Sequence, residues 1–367
     1  MNLLLLLFLV ASEPVTQSEY NQAWLLYDNA RYDEAIAAAQ SIIAKDPSFH
    51  RAYSLIASAS SFGAHRMDPA RRYFQELSAA NPADPWAYFG LGELESYTHN
   101  RAAARQNFAA CVQRSNTAWP CYIGLGSNFG TERDLARALP PKADPLGVLF
   151  ARNRFFNTAR RFPEAIRAAS QALELARKRN APELEAKIEV FIGDALQGPA
   201  RDHALSIPHY ESALAIWTRL DDWQAQWESS ASLIGALVEA RQFGAAQDRI
   251  DNLRSSSKER LGELSLASLL STSADIQRAA GHLDQAISLA EEFIAIKKSL
   301  RLPVDANLLH LGGLYARKGD FDTALTYMNR SLELTDSESQ RPFVLRALGM
   351  LYFEHGDYAL GLRYSQQ

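Results

Sequence analysis

Leu311-Gly312-Gly313-Leu314-Tyr315-Ala316-Arg317-Lys318-Gly319-Asp320-Phe321-Asp322-Thr323-Ala324 reads as two helices joined by a tight reversal. Gly312 and Ala324 are small enough to let two antiparallel helices approach closely, and Gly319-Asp320 between them turns the chain. The same spacing returns 37 residues on as Leu348-Gly349, Tyr352 and Gly356-Asp357-Tyr358, with Gly361 in the place of Ala324. Fainter copies lie upstream: Leu91-Gly92 with Ala104 and Phe108, Gly281-His282-Leu283 with Ala286, Phe243 with Ala246, and Phe162 with Ala165. At the front, Tyr32 and Ala35 are followed by Pro47, and Ala70 and Phe74 by Pro82, where proline ends a second helix. One such helix pair cannot bury its apolar face alone, so neighbouring pairs must stack into a superhelix.

Composition agrees with this reading. The 367 residues include only 19 glycines, 15 prolines and 8 valines, which argues against a sheet-rich architecture. An apolar fraction of 47% with 22% charged residues suffices for a continuous core and excludes disorder over most of the chain. A net charge of −4 gives neither a nucleic-acid footprint nor a basic membrane patch.

The repeated pattern resembles the tetratricopeptide repeat, and the resemblance extends over nearly the whole chain from about residue 16. It implies an all-α fold, a right-handed α-solenoid of antiparallel helix pairs. Ten units are expected: 16–49, 50–84, 85–118, 119–140, 146–182, 186–223, 227–262, 267–302, 305–339 and 342–367. The fourth is degenerate, because Pro140-Pro141-Lys142-Ala143-Asp144-Pro145 cannot continue a helix. A Pro-rich boundary at 141–145 is therefore expected between an N-terminal sub-array, 16–140, and a C-terminal one, 146–367. The later, longer units look like the arrays that precede effector domains such as the caspase-like CHAT peptidase in bacterial proteins. No such effector lies in this sequence. The last unit stops inside its second helix at Tyr364-Ser365-Gln366-Gln367, without a polar cap. A fragment of a longer protein is expected, or an end covered by a partner or by self-association.

Leu3 to Val10 is an unbroken apolar run, followed by Ala11-Ser12 and polar residues from Glu13. Residues 1–12 match the core of a secretory signal peptide, although without a Lys or Arg, and the run is too short to span a bilayer. Export to the periplasm or beyond is the expectation, with a cytoplasmic chain as the alternative. Cys111 and Cys121 fall on neighbouring helices; a disulfide is geometrically possible, but two buried thiols acting as small hydrophobes are the preferred reading.

No constellation points to catalysis. Gly124-Leu125-Gly126-Ser127-Asn128-Phe129-Gly130 has the wrong spacing for a phosphate loop and falls within a helix. The histidines at 50, 65, 99, 203, 209, 282, 310 and 355 are scattered singly, and the carboxylates, such as Glu291-Glu292, lie among basic neighbours. No catalytic residue, metal site or cofactor is expected.

In tetratricopeptide arrays the first helices line a concave groove through the second, fifth, ninth, twelfth and thirteenth positions of each unit. Carried onto this sequence, that rule gives Tyr20, Trp24, Tyr27 and Asp28 in the first unit, Trp86, Phe89, Glu93 and Tyr97 in the third, and Phe150, Arg154 and Asn157 in the fifth. Aromatic anchors beside a few polar groups suit an extended peptide or a helix. The basic clamp with which some family members grip carboxylate tails is missing, since Phe89 and Glu93 stand where it requires Lys and Asn. A non-catalytic scaffold for a protein or peptide is the expected function. The alternatives are a sensory array from a longer protein or a structural part of an envelope complex.

Overall fold

The computed structural model describes residues 17–198, 203–256, 259–335, 338 and 340–366, so the leader expected at 1–12 lies outside the described residues. These contain twenty α-helices and no strand. In chain order the pairs are α1 (Gln17–Asp28) and α2 (Tyr32–Lys45), α3 (His50–Ser60) and α4 (Ala64–Ala80), α5 (Pro85–Tyr97) and α6 (Arg101–Arg114), then α7 (Trp119–Asn128) and α8 (Glu132–Ala138). There follow α9 (Pro145–Thr158) and α10 (Phe162–Lys178), α11 (Pro182–Leu196) and α12 (His203–Arg219), and α13 (Trp223–Glu239) and α14 (Phe243–Ser256). The chain ends with α15 (Glu263–Ala279) and α16 (Leu283–Ser299), α17 (Asp305–Lys318) and α18 (Phe321–Leu334), and α19 (Arg341–Glu354) and α20 (Tyr358–Ser365). Most helices pack on their neighbours in sequence or on the corresponding helix of the next pair, as a solenoid requires. No described helix is long and apolar enough to cross a membrane.

The chain divides into two compact units, one of Met1–Tyr27 with Arg31–Ala240 and the other of Asp28–Ala30 with Arg241–Gln367. The Pro-rich segment expected as the boundary at 141–145 thus lies inside the first unit. Its prolines do interrupt the helices: α8 stops at Ala138 after seven residues, and Pro145 is the first residue of α9, where its missing N–H costs nothing. The stack nevertheless continues, because α7 packs directly on α9.

Small residues set the helix spacing. Ala35, Ala104, Ala165, Ala246, Ala286 and Ala324, equivalent in their units, are all fully buried. Gly126 on α7 shows the closest approach: a Cβ there would stand 2.1 Å from the carbonyl oxygen of Ala151 on α9. Several reversals within pairs share one geometry. Gly319 has φ +87° and Gly356 φ +90°, and each precedes an aspartate whose carboxylate accepts a backbone N–H of the following helix. Asp320 accepts from Thr323 and Asp357 from Leu360, both at 3.1 Å. In other pairs the same left-handed position is held by Ala30, His99, Arg160 and Arg241, at φ 57–58°.

Cys111 on α6 and Cys121 on α7 are joined by a disulfide, which corrects the expectation of two free thiols. The end of α6 and the start of α7 place their Cα atoms 6.0 Å apart, within bridging range. The bond closes a loop between residues separated by 10 in sequence. Chain-entropy arguments value such a loop at about 2–3 kcal/mol. Reduction is expected to lower the stability of the first unit by about that amount, read as a shift in denaturation midpoint with and without reductant. An unchanged midpoint would show that the α6–α7 packing needs no covalent support.

Candidate ligand cavity

Seven elements of the first unit converge on one cavity of about 280 Å³. Tyr20 comes from α1, His50, Arg51, Ser54 and Ser58 from α3, Phe89, Glu93 and Tyr97 from α5, and Trp119, Pro120 and Ile123 from α7. Glu183 and Lys187 on α11, Trp217 on α12, and Asp222, Gln224, Ala225 and Glu228 at the start of α13 complete the lining. A second cavity, of about 610 Å³, shares His50, Arg51, Trp119, Glu183, Trp217 and Asp222 with the first.

The wall is closed by contacts between residues far apart in sequence. Arg51 forms a two-pronged ion pair with Asp222, and its Nη2 donates to Asp222 Oδ1 at 2.8 Å and to Gln224 Oε1 at 3.2 Å. Its guanidinium stacks on the Tyr20 ring, 4.4 Å from the centroid. Asp222 in turn caps α13, accepting the N–H of Ala225 at 3.0 Å. Tyr20 donates its phenol proton to Gln224, and Asn21 donates to the carbonyl of Asp221 at 2.8 Å. Burial works against the charge on Arg51, but Tyr20 and Asp222 more than offset it and raise its pKa. Burial also pushes the Tyr20 phenol up.

His50 sits among rings. It stacks on Trp86 at 5.2 Å and meets Trp119 edge-on at 5.2 Å. Desolvation, aided by Arg51 and Lys187, pushes its imidazole down to about 3, so it is neutral at ordinary pH. Glu93 faces the cavity without a hydrogen bond or ion pair among the described residues, and desolvation pushes its carboxyl up to about 7 despite the pull of Lys187. Glu183 is raised for the same reason.

Of the residues singled out from sequence, Tyr20, Phe89, Glu93 and Tyr97 line this cavity, and Trp86 flanks it through His50. Trp24, 4% exposed, and Phe150, 1% exposed, belong to the hydrophobic core. Tyr27 packs edge-on against Tyr32 and Phe62 outside the lining. Arg154 covers the Phe191 ring at 5.1 Å, and burial lowers its pKa. Asp28 is buried and Asn157 half-buried. Phe89, though it borders the cavity, is itself only 3% exposed. Alanine at Trp24 or Phe89 therefore tests core packing as much as ligand capture. Arg51, Ser54 and Ser58 were absent from the expected set, yet the same count of positions from His50 reaches all three. Trp217 had no such signal, because it lies on a second helix.

Glu93 and His50 drive the pH dependence of stability in opposite directions. Glu93 holds its proton more tightly folded than unfolded, between 4.5 and about 7, so its contribution to stability falls as pH rises through that window. His50 holds its proton more tightly unfolded, between about 3 and 6.5, so its contribution rises with pH there. Each slope approaches about 1.4 kcal/mol per pH unit, and where the windows overlap they largely cancel. The Glu93→Gln variant is expected to gain stability relative to wild type from pH 5 to 7, by about 1 kcal/mol per unit once solvent in the open cavity is allowed for. Urea unfolding of both proteins at pH 5, 6 and 7 measures this. A constant difference across the series means that Glu93 titrates as an ordinary surface carboxylate.

The tetratricopeptide repeat model matches residues 17–48 and 308–342, which coincide with the first helix pair and with α17 and α18. No curated protein sequence matches the chain. Among solved structures, it is similar to the Cut9–Hcn1 hetero-tetramer of the APC/C, with a TM-score of 0.55 and 15% identity over 89% of this chain. It spans 55% of the length of that matched chain. Similarity also extends to BtubC (BKLC) from P. vanneervenii, with a TM-score of 0.48 and 18% identity, covering 56% of this chain and 88% of that one. A Rap protein complexed with Competence and Sporulation Factor matches with a TM-score of 0.49 and 13% identity, covering 95% of each chain. This chain thus carries the tetratricopeptide repeat at two of its helix pairs, α1 with α2 and α17 with α18, and its described residues form an all-α solenoid.

Proposed function

We propose that the protein is a non-catalytic interaction scaffold and that its first unit captures a peptide segment in the cavity between its first helices. The observation that carries this reading is the convergence of α1, α3, α5, α7, α11 and α13 on one aromatic-walled, partly charged space. Rigid aromatic anchors beside a few placed polar groups give a peptide both affinity and register. The volume suits a side chain or a short segment rather than a folded domain. Export is part of the proposal: the apolar run at 3–10 supports it, and so does the Cys111–Cys121 bond, since structural disulfides persist in oxidising compartments.

The test fills the cavity without opening the core. Ser54 is half-buried on the lining, and Ser54→Trp occupies the space from within. Nonapeptides selected from a random library on the wild-type protein are expected to lose at least tenfold in affinity for a Ser54→Trp variant of unchanged helical content. Equal binding by both proteins would place the peptide site elsewhere and remove the basis for the proposal.

A further inference from the structure

We infer that the cavity of the first unit recognises a lysine or arginine side chain of the captured peptide, with Glu93 as the carboxylate that pairs with it. The inference rests on the peptide-capture reading above and specifies its chemistry. Four carboxylates, Glu93, Glu183, Asp222 and Glu228, face the space against two cations, Arg51 and Lys187. Arg51 is already committed to Asp222. That leaves Lys187 as the counterion for Glu93, Glu183 and Glu228. Nor does His50 supply the missing charge, because its ring is held neutral among the indoles of Trp86 and Trp119.

Glu93 is the decisive group. It has no hydrogen-bond partner among the described residues, and Phe89 and Tyr97, one helical turn away on either side of α5, line the same space. A half-buried carboxylate, partly stripped of water in that position, is costly until something pairs with it. An ammonium or guanidinium entering the cavity pairs with Glu93 and finds aromatic rings, which attract cations, in the surrounding wall. An acidic side chain meets three carboxylates there, and an apolar one leaves Glu93 desolvated and unpaired. The volume of about 280 Å³ lies just below the usual range for small-molecule pockets and suits one long side chain.

Pairing and protonation compete at Glu93, so binding strengthens as pH rises. The other ionisable groups facing it are Tyr20 on α1, His50 and Arg51 on α3, Tyr97 on α5, Glu183 and Lys187 on α11, and Asp222 and Glu228 at the start of α13. Burial keeps the two phenols protonated, and neutral His50 adds no charge over the range tested.

The experiment begins with a random nonapeptide library panned at pH 8 on the wild-type protein and on Ser54→Trp. Lysine or arginine is expected at one fixed consensus position. A labelled peptide of that consensus, followed by fluorescence anisotropy, is expected to bind Glu93→Gln at least tenfold more weakly than wild type. It should weaken similarly on wild type at pH 5.5, and this pH response should disappear in the variant. Norleucine in place of the cationic residue should cost as much. A consensus without a cation, or one bound equally by Glu93→Gln, overturns the inference and leaves peptide capture standing. No enrichment over Ser54→Trp removes the peptide-capture reading itself. Competition by n-butylammonium as strong as that of the peptide assigns the site to a free amine and overturns the peptide side chain as its occupant.

Discussion

Arg51→Ala is expected to destabilise the first unit by about 3–5 kcal/mol, the usual cost of removing one partner from a buried, hydrogen-bonded ion pair. Asp222 is 6% exposed at its side chain and loses the cation it pairs with in that variant. The carboxylate then remains in a low-dielectric wall, tied there by its bond to the N-terminus of α13. Asp222→Ala should cost at least as much, because it leaves Arg51 uncompensated and also removes the helix cap. The double variant should cost clearly less than the sum of the two, because their main loss is shared. The exposed pair between Arg31 and Glu34 provides the control, with Arg31→Ala expected to leave the midpoint unchanged. Equilibrium denaturation of the four proteins measures the coupling. Small and additive losses at Arg51 and Asp222 would mean that the pair is solvated and does not close the cavity wall.

Gly126→Ala should separate α7 from α9. The added methyl carbon would stand 2.1 Å from a backbone oxygen of Ala151, and a helix backbone cannot rotate aside as a side chain can. Overpacking of cores costs about 1–3 kcal/mol where side chains absorb it, and this site should reach or exceed the top of that range. Two nearby glycines grade the effect. At Gly124 the new atom meets the Phe108 ring at 2.4 Å, which allows partial relief, and at Gly130 it meets nothing within 4 Å. The expected order of destabilisation is Gly126, then Gly124, then Gly130, read from thermal melts. Any other order would contradict the close approach that carries the stack past the prolines at 140–145.

The helix pairs were legible because their signal lies in residues whose size is dictated by contact. Ala104 or Ala324 cannot be larger without forcing two helices apart, so the spacing repeats even where the rest has drifted. The turns were less legible. Gly319 and Gly356 announce a left-handed residue, but Ala30, His99, Arg160 and Arg241 adopt the same conformation with no glycine to mark it, held there by the helices on either side. The cavity was half legible. Counting positions along the first helices reaches Tyr20, Phe89, Glu93 and Tyr97, but the same count also selects Trp24 and Phe150, which the stack buries. Position within a repeat specifies a face, and the curvature that decides how much of that face stays open depends on many units together. Lys187, which lines the same cavity as Glu93, and Asp222, the partner of Arg51, lie far off in sequence, where no local pattern connects them.

Most repeat arrays can fray from an end, because each unit touches only its neighbours. The bonds of Asn21 with Asp221, and of Arg51 with Asp222, join positions 200 and 171 residues apart within the first unit. The entropy of closing so long a loop exceeds that for adjacent repeats by only about 1.5 kcal/mol, so the thermodynamic penalty is modest. Its effect on the order of events is larger. These contacts can form only after the intervening pairs have stacked, so they come late in folding and give nothing to the early nucleus. Interactions absent from the transition state act mainly on the rate of unfolding. The first unit should accordingly open as a block, with the amides of α1 exchanging with solvent no faster than those of α11, where an unlatched array would lose its terminal helix first.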